Sequence, residues 1–476
     1  MHLPPSSTYL GSGTVLAALL ALALGGCAAT QVQAPPMPQA AAFKESGEWQ
    51  RAALTMPVPD AWWTLFHDPV LDELEQRLLL GNESLKVSAA ALASARAVFE
   101  ASRSAFWPTL SAGLTDTRSA TPEATTPTAA RNPSNAVALS ASASWEVDLW
   151  GRLAQASSGA QSALQASADD LAAARLSAQA LLAQSYFSLR TAEAQSALLQ
   201  RSVQAYQRSL ELTQTRYDGG VAARTDVLQA QTQLSSTQAQ LADLEAQRAQ
   251  AEHALAVLLG VAPSALTLER ATSLPTSPEV PQLLSSTLLQ RRPDIAAAQH
   301  RVAAAWAQIG VADAAYFPAL NLSASAGYRN TSLSQLLSAP DLFWSLGPTL
   351  AQAIFDGGAR QQASAQARAS AEQASANYRQ AVLSALQEVE DNLVLAKQLQ
   401  SEVQFQAQAL QAAQRNLEIT LDQYRAGTMS YLNVVSAQTA ALGSESSWLG
   451  VRNRQLAALN QLLKNVAGRW DVVVLK

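Results

Sequence analysis

Hydrophobic residues recur along this chain with two alternating periods, and the order of those periods is written twice. From about Pro69 to Phe106 the apolar positions follow a helical spacing. Trp107-Pro108 ends it, because proline restricts the residue before it and cannot continue the helical ladder. The period then drops to two. Leu110, Ala112 and Leu114 alternate with polar residues over Thr109–Thr117, a Thr/Pro/Ala/Asn loop fills 118–135, and Val137, Leu139, Ala141, Ala143, Trp145 and Val147 alternate over Ala136–Asp148. This pattern predicts two strands joined by a polar loop. Arg152–Arg216 contains no proline, and Leu182, Leu189, Val203 and Leu210 fall on a seven-residue grid. A helix of that length spans about 100 Å. A glycine turn follows, and a second helix runs over Val227–Leu259 to stop at Gly260.

The second half repeats the order. A helix from about Gln282 to Tyr316 ends at Phe317-Pro318, Leu320–Tyr328 alternates, a loop covers Asn330–Asp341, and Phe343–Phe355 is the partner strand. Asp356 and Arg360 mirror Asp148 and Arg152 at an offset of 208. Val382, Val389, Ala396, Val403, Leu410 and Leu417 then lie seven apart, with Leu386, Leu393, Ala407 and Leu421 on the companion seam. A strict heptad repeat implies left-handed supercoiling. A last helix runs to Val466, and Gly468 echoes Gly260.

The most exact repetition is at the turns. RYDGGVAARTDVLQAQTQL (Arg216–Leu234) returns as QYRAGTMSYLNVVSAQTAA (Gln423–Ala441), with Tyr217/Tyr424 and Gly220/Gly427 in step at an offset of 207. A glycine just past a helix end supplies the left-handed backbone conformation that other residues resist. Each copy is therefore the tip of a helical hairpin. Chain order places the strand pairs at one end of the long helices and the tips at the other.

Strands of roughly ten residues match a transmembrane β-hairpin, and a soluble hairpin presents the same pattern. If these strands cross a bilayer, four per chain cannot close a barrel, and open edges are not tolerated in lipid. Several copies must then share one barrel. Long helices seamed by Ala, Gln and Ser also point to an obligate oligomer.

Composition narrows the function. A net charge of −5, a pI near 5.5 and no basic stripe exclude a nucleic-acid footprint. Four scattered histidines give no metal spacing, and no nucleophile lies beside a histidine or phosphate loop, so the chain is not expected to be an enzyme or to carry a metal or soluble cofactor. Glu388, Glu390 and Asp391 are expected on a solvated helix face. The apolar run Val15–Leu24, too short for a membrane span, closes on Gly25-Gly26-Cys27, although residues 1–26 hold no Lys or Arg. This stretch resembles a bacterial lipobox, which implies a signal peptide over 1–26 and a covalent lipid on Cys27; Ala28 after the cysteine favours the outer membrane. The chain divides into that signal, a Pro/Ala/Gln-rich tether (27–60), a first repeat (61–262), a linker (263–281), a second repeat (282–470) and a tail (471–476).

Trp62-Trp63 with Phe66 and Asp68-Pro69, the run Trp145–Arg152, Arg291-Arg292-Pro293-Asp294-Ile295, Tyr316-Phe317-Pro318 and the two tips together resemble the outer-membrane efflux proteins of the TolC, OprM and NodT type over about residues 60–470. The resemblance implies a mainly α chain with transmembrane β, a homotrimer with a 12-stranded barrel in the outer membrane of a Gram-negative cell, and a helical tunnel extending into the periplasm. It implies docking at the tips (Tyr217, Gly220, Gly427, Met429) to a periplasmic adaptor and an inner-membrane pump of the resistance-nodulation-division kind. The implied function is a passive conduit exporting drugs or other toxic small molecules. A type I secretion exit duct is the alternative, and a lipid-tethered periplasmic coiled-coil scaffold a second one. In that family an aspartate–tyrosine–arginine link and acidic rings hold the tips closed. The aspartate matches Asp226 and the tyrosine Tyr424. The arginine position is Met429, and the ring acids read Asn433 and Ser436, so that part of the pattern is missing. Thr225-Asp226 also reads as a plain helix N-cap, and Tyr424 as tip packing.

Overall fold

The computed structural model describes residues 60–120, 134–271, 273–278, 292–337 and 339–466. The signal segment, Cys27, the tether up to residue 59, Arg291, Gly468 and the 471–476 tail lie outside the described residues. The chain forms two compact units. One holds Ala93–Ala166 and Ala298–Tyr378; the other holds the described residues of 60–92, 167–297 and 379–466. Each unit draws on both sequence repeats, so the duplicated strands share one unit and the duplicated tips share the other.

In chain order the elements are α1 (Pro69–Gly81), α2 (Glu83–Ser104), β1 (Thr109–Ser119), β2 (Ser134–Val147), α3 (Arg152–Asp218), α4 (Arg224–Leu258), α5 (Pro293–Ala314), β3 (Ala319–Asn330), β4 (Leu342–Ala351), α6 (Ala359–Arg425) and α7 (Tyr431–Val466). The single helix expected over 69–106 is two helices. Asn82 separates them: its side-chain amide donates to the Leu258 carbonyl at 2.7 Å while its oxygen accepts from the Leu85 N–H at 3.0 Å. The backbones of Gly81 and Gly260 cross so closely there that a Cβ on Gly81 would stand 2.1 Å from the Leu259 carbonyl oxygen. The strand expected over Phe343–Phe355 is shorter, because alternation ends at Leu350 and the adjacent apolar pair Ile354-Phe355 breaks the period.

The first unit is built on one antiparallel sheet in the order β1-β2-β3-β4. Its register sorts the side chains. Leu110 faces Ala143, Leu114 faces Leu139, Trp145 faces Leu322, and Ala326 faces Trp344, all on one side. The other side carries Ser111 opposite Ser142, Ser144 opposite Ser323 and Ser325 opposite Ser345, with hydroxyl contacts of 2.7 Å for Ser111 with Ser142 and 2.8 Å for Ser325 with Ser345. Leu110, Trp344, Leu346 and Leu350 are exposed at 65–80%. Below the sheet, Asp148 accepts from the Leu153 and Ala154 N–H groups at the start of α3, and Asp356 accepts from Gly358 and Arg360 at the start of α6. The mirrored arginines differ: Arg360 pairs with Asp356, but Arg152 pairs with both oxygens of Glu146.

The second unit has the larger core. A 3-10 turn, Trp62–Phe66, leads into α1, whose Pro69 start is capped by Asp68 accepting from Val70 and Leu71. Trp62, Phe66, Leu71, Leu74 and Leu78 pack with Tyr186, Phe187, Leu255, Leu456 and Leu463. Within the same core Glu75 is fully buried, and among the described residues neither of its carboxyl oxygens has a hydrogen-bond partner. Burial first, then the nearby Asp72 charge, pushes its carboxyl up to about 9. The linker is tied down through its backbone: Arg190 donates to the Glu269 carbonyl, Arg248 to the Leu268 carbonyl, and Glu252 and Glu193 accept from the N–H groups of Leu268 and Ala271.

On α6, Val382, Val389, Leu393 and Ala396 are buried as the heptad requires. Glu388 is not on a free solvated face. It accepts from the buried Arg292 guanidinium at 3.0 Å and lies 3.8 Å from Lys464, while Arg292 also holds Asp294 and Asn465.

Candidate functional site: the paired helix tips

α3 and α6 end in the same hydrogen-bond motif. At the first tip the Gly220 N–H donates to the Tyr217 carbonyl and the Val221 N–H to the Arg216 carbonyl; at the second, Gly427 donates to Tyr424 and Thr428 to Gln423. This is the paired bonding of a Schellman ending, which places the glycine in the left-handed region. The φ values are +71° for Gly220 and +81° for Gly427.

The tips are bound to each other through Tyr424, which is 4% exposed. Its hydroxyl lies 3.2 Å from that of the fully buried Thr213 on α3. The Arg216 guanidinium sits 4.7 Å above its ring and donates to its carbonyl oxygen at 2.5 Å. On the other side the ring meets Tyr431 at a centroid distance of 5.5 Å, within an apolar cluster that includes Ala230 and Val434. Gln438 on α7 bonds Ser209 at 3.1 Å, and Tyr206 donates to the Gln438 carbonyl at 3.3 Å.

Asp226 occupies the first turn of α4. The N-cap is Ala223, with no side-chain cap bond, so the reading of Thr225-Asp226 as a capping pair gives way to a carboxylate placed where the helix dipole favours it. Among the described residues no hydrogen bond joins Asp226 to Tyr424. Its charge is felt instead at Tyr431, whose hydroxyl is pushed up by burial first and then by Tyr424, Tyr206 and Asp226. Asn433 takes the equivalent place in α7 and turns back, its amide 3.0 Å from both the Met429 sulfur and the Ser430 hydroxyl. Tyr217 has the Arg224 guanidinium 5.8 Å from its ring.

The structure thus gathers Met429 with Asn433, and Tyr424 with Thr213, Arg216 and Tyr431. The last three were not singled out by the sequence reading. A signal for two of them was present: Arg216 stands opposite Gln423 and Arg224 opposite Tyr431 at the 207 offset, so the copies differ where they meet. The site offers a cation–ring contact and buried hydroxyls. Among the described residues no cluster of His, Cys, Asp or Glu could hold a metal ion. No described helix is long and apolar enough to cross a membrane.

The chain as a whole is similar to known proteins. The family model for outer membrane efflux proteins matches residues 74–261 and 284–468. The antibiotic efflux pump outer membrane protein ArpC of Pseudomonas putida is 29% identical over 458 residues, 95% of each chain. The pyoverdine export outer membrane protein OpmQ of Pseudomonas aeruginosa is 31% identical over 459 residues, 94% of this chain and 95% of its own. Among solved structures, the open state of the Neisseria gonorrhoeae MtrE outer membrane channel is 27% identical, with a TM-score of 0.79 and coverage of 92% of this chain and 97% of that one.

Proposed function

Because the chain belongs to the outer membrane efflux protein family, we propose that it is the exit channel of a tripartite efflux system, a passive conduit for small molecules. The observation that carries this is the sheet. Its register gathers apolar side chains on one face, broken towards the β1–β2 loop by Asp116, Arg118, Asn135 and Asn330, and sets a row of hydroxyls on the other; among the described residues both edges are unpaired. That pattern suits strands with lipid on one side and water on the other. Three copies of four strands would close a barrel, and the hydroxyl face would line it.

In this reading a lipid on Cys27 anchors the chain to the outer membrane. The helix tips receive a periplasmic adaptor and, through it, an inner-membrane pump of the resistance-nodulation-division kind that supplies the energy. The tips are also the gate, with Tyr424 and Arg216 holding the two hairpins of one chain together and Asp226, in the first turn of α4, as the charge that braces a neighbouring copy. Relatives named for antibiotic efflux and pyoverdine export favour small-molecule cargo over a protein-secretion duct.

The test is complementation. In a host deprived of its own exit channels and given a matching adaptor and pump, the chain should lower the steady-state accumulation of an efflux dye and sediment with outer-membrane vesicles. Dye accumulation equal to the empty-vector control, with the chain present in those vesicles, rejects the conduit.

A further inference from the structure

Among the described residues β1 and β4 are the edges of the sheet, each leaving a row of backbone groups without a strand partner. The antiparallel order makes them run in opposite directions, so β4 of one copy can continue the ladder onto β1 of the next. The register also fixes which ends meet. Thr109 is level with Ser144, Ser144 with Ser323, and Ser323 with Gly347. The C-terminal end of β4 and the N-terminal end of β1 therefore lie at the same end of the sheet.

Complementary features stand at these two ends. Just past β4, Ile354 and Phe355 are 86% and 90% exposed. Just before β1 is a cavity of about 1000 Å³ walled by the rings of Phe99, Phe106, Trp107 and Trp145, with Ser104, Ser157 and Gln161 in its lining and Trp107 itself 75% exposed. The Trp145 indole N–H is already spent on the Phe106 carbonyl at 2.9 Å, so that wall presents ring rather than an unmet donor. Arg103 and Glu100, which also line the cavity, approach each other to 3.5 Å and leave it without net charge.

We propose that Ile354 and Phe355 of one copy seat in the Phe99/Phe106/Trp107/Trp145 cavity of the next, an apolar lock at the foot of the β4-to-β1 seam. The occupant is a second copy of this chain because its β4 would both pair the β1 edge and bring the apolar pair Ile354 and Phe355 to its foot. The contact is head-to-tail, and such contacts form a closed ring when the rotation closes. The proposal rests on the channel reading above, which supplies the multi-copy barrel.

The experiment uses the full-length chain with Phe355→Cys and Trp107→Cys together; the natural sequence has Cys27 as its one cysteine. Mild oxidation in outer-membrane vesicles should give reductant-sensitive dimers and trimers that survive boiling, while each single variant and the parent should not. A double variant that stays monomeric after boiling, from a preparation whose unboiled parent runs as an oligomer, overturns the lock and leaves lipid over Ile354 and Phe355. A parent that never runs as an oligomer refutes the channel reading itself, and the lock with it. As a second measure, Phe355→Ser and Trp107→Ala should each lower the temperature at which the oligomer dissociates, and the pair should lower it no further than the worse single change. Strictly additive losses overturn the contact.

Discussion

The guanidinium of Arg216, at the end of α3, lies 4.7 Å over the ring of Tyr424, at the end of α6, and bonds the same residue's carbonyl. Two helix ends separated by 208 residues are thereby joined by one cation. A cation–ring contact contributes about 0.5–1 kcal/mol where exposed and about 2 kcal/mol where desolvated, and 1–2 kcal/mol is about a 5- to 30-fold change in a two-state ratio. On the proposed channel reading, Arg216→Ala should raise the open probability of the purified protein in planar bilayers several-fold, while Arg216→Lys, which retains the charge and a donor, should stay near the parent. Equal open probabilities for Ala and parent would remove Arg216 from the gate and leave it a packing residue.

Among the described residues Asp226 makes no hydrogen bond to Tyr424, yet its charge reaches Tyr431 in the buried cluster. If it also braces a neighbouring hairpin, Asp226→Ala should increase conductance, and Asp226→Asn should increase it almost as much because the charge is what is lost. A carboxylate in a helix's first turn contributes only about 0.3–1 kcal/mol to that helix, so the yield of folded protein should hardly change. Unaltered conductance and opening statistics would reduce Asp226 to that local role.

Glu75 provides a pH-dependent prediction. Its folded carboxyl titrates at about 9, raised from an ordinary 4.5, by burial and then by Asp72. A proton bound more tightly in the folded state stabilises folding below the unfolded value, and that contribution falls away as pH rises from about 4.5 towards about 9. Glu75→Gln supplies a permanently neutral side chain of the same shape. Thermal unfolding followed by circular dichroism from pH 5 to pH 9 should show the parent losing stability and the variant losing much less, so that the variant melts higher at pH 8. Parallel curves for the two proteins would mean that Glu75 finds a charged partner.

Much of the architecture was legible in the sequence because period is a local property. The alternation that ends at Val147 and the heptads through Val389 and Ala396 are set by neighbours along one element, and the structure follows them. What was not legible depends on contacts between distant residues. The break at Asn82 requires the Leu258 carbonyl, 176 residues away, and Glu388 looked solvated because its partner Arg292 precedes it by 96. The tips show both cases. Gly220 and Gly427 announced the turns, whereas Arg216, one residue before a tyrosine in a motif read for its glycine, showed its role only when α3 and α6 were seen side by side.

The two tip glycines make the last prediction. Both have positive φ and close the same pair of backbone bonds, but their surroundings differ: a Cβ on Gly220 would meet open space, and one on Gly427 would stand 3.6 Å from the Arg216 guanidinium. An L-residue forced into the left-handed region costs about 1–2 kcal/mol, and a β-branched side chain adds crowding. Gly220→Val should therefore disturb its own turn and little else, with a modest loss of efflux. Gly427→Val should also crowd the Arg216–Tyr424 contact, so its loss of efflux and its rise in channel opening should both exceed those of Gly220→Val. Gly427→Ala and Gly220→Ala, whose Cβ atoms meet at most ordinary van der Waals contact, should share the left-handed penalty and lose the ranking. Susceptibility to an exported drug, read beside single-channel recordings of the same variants, checks this. Equal effects at the two positions would separate the turn geometry from the Arg216 contact and count against a gate shared by both tips.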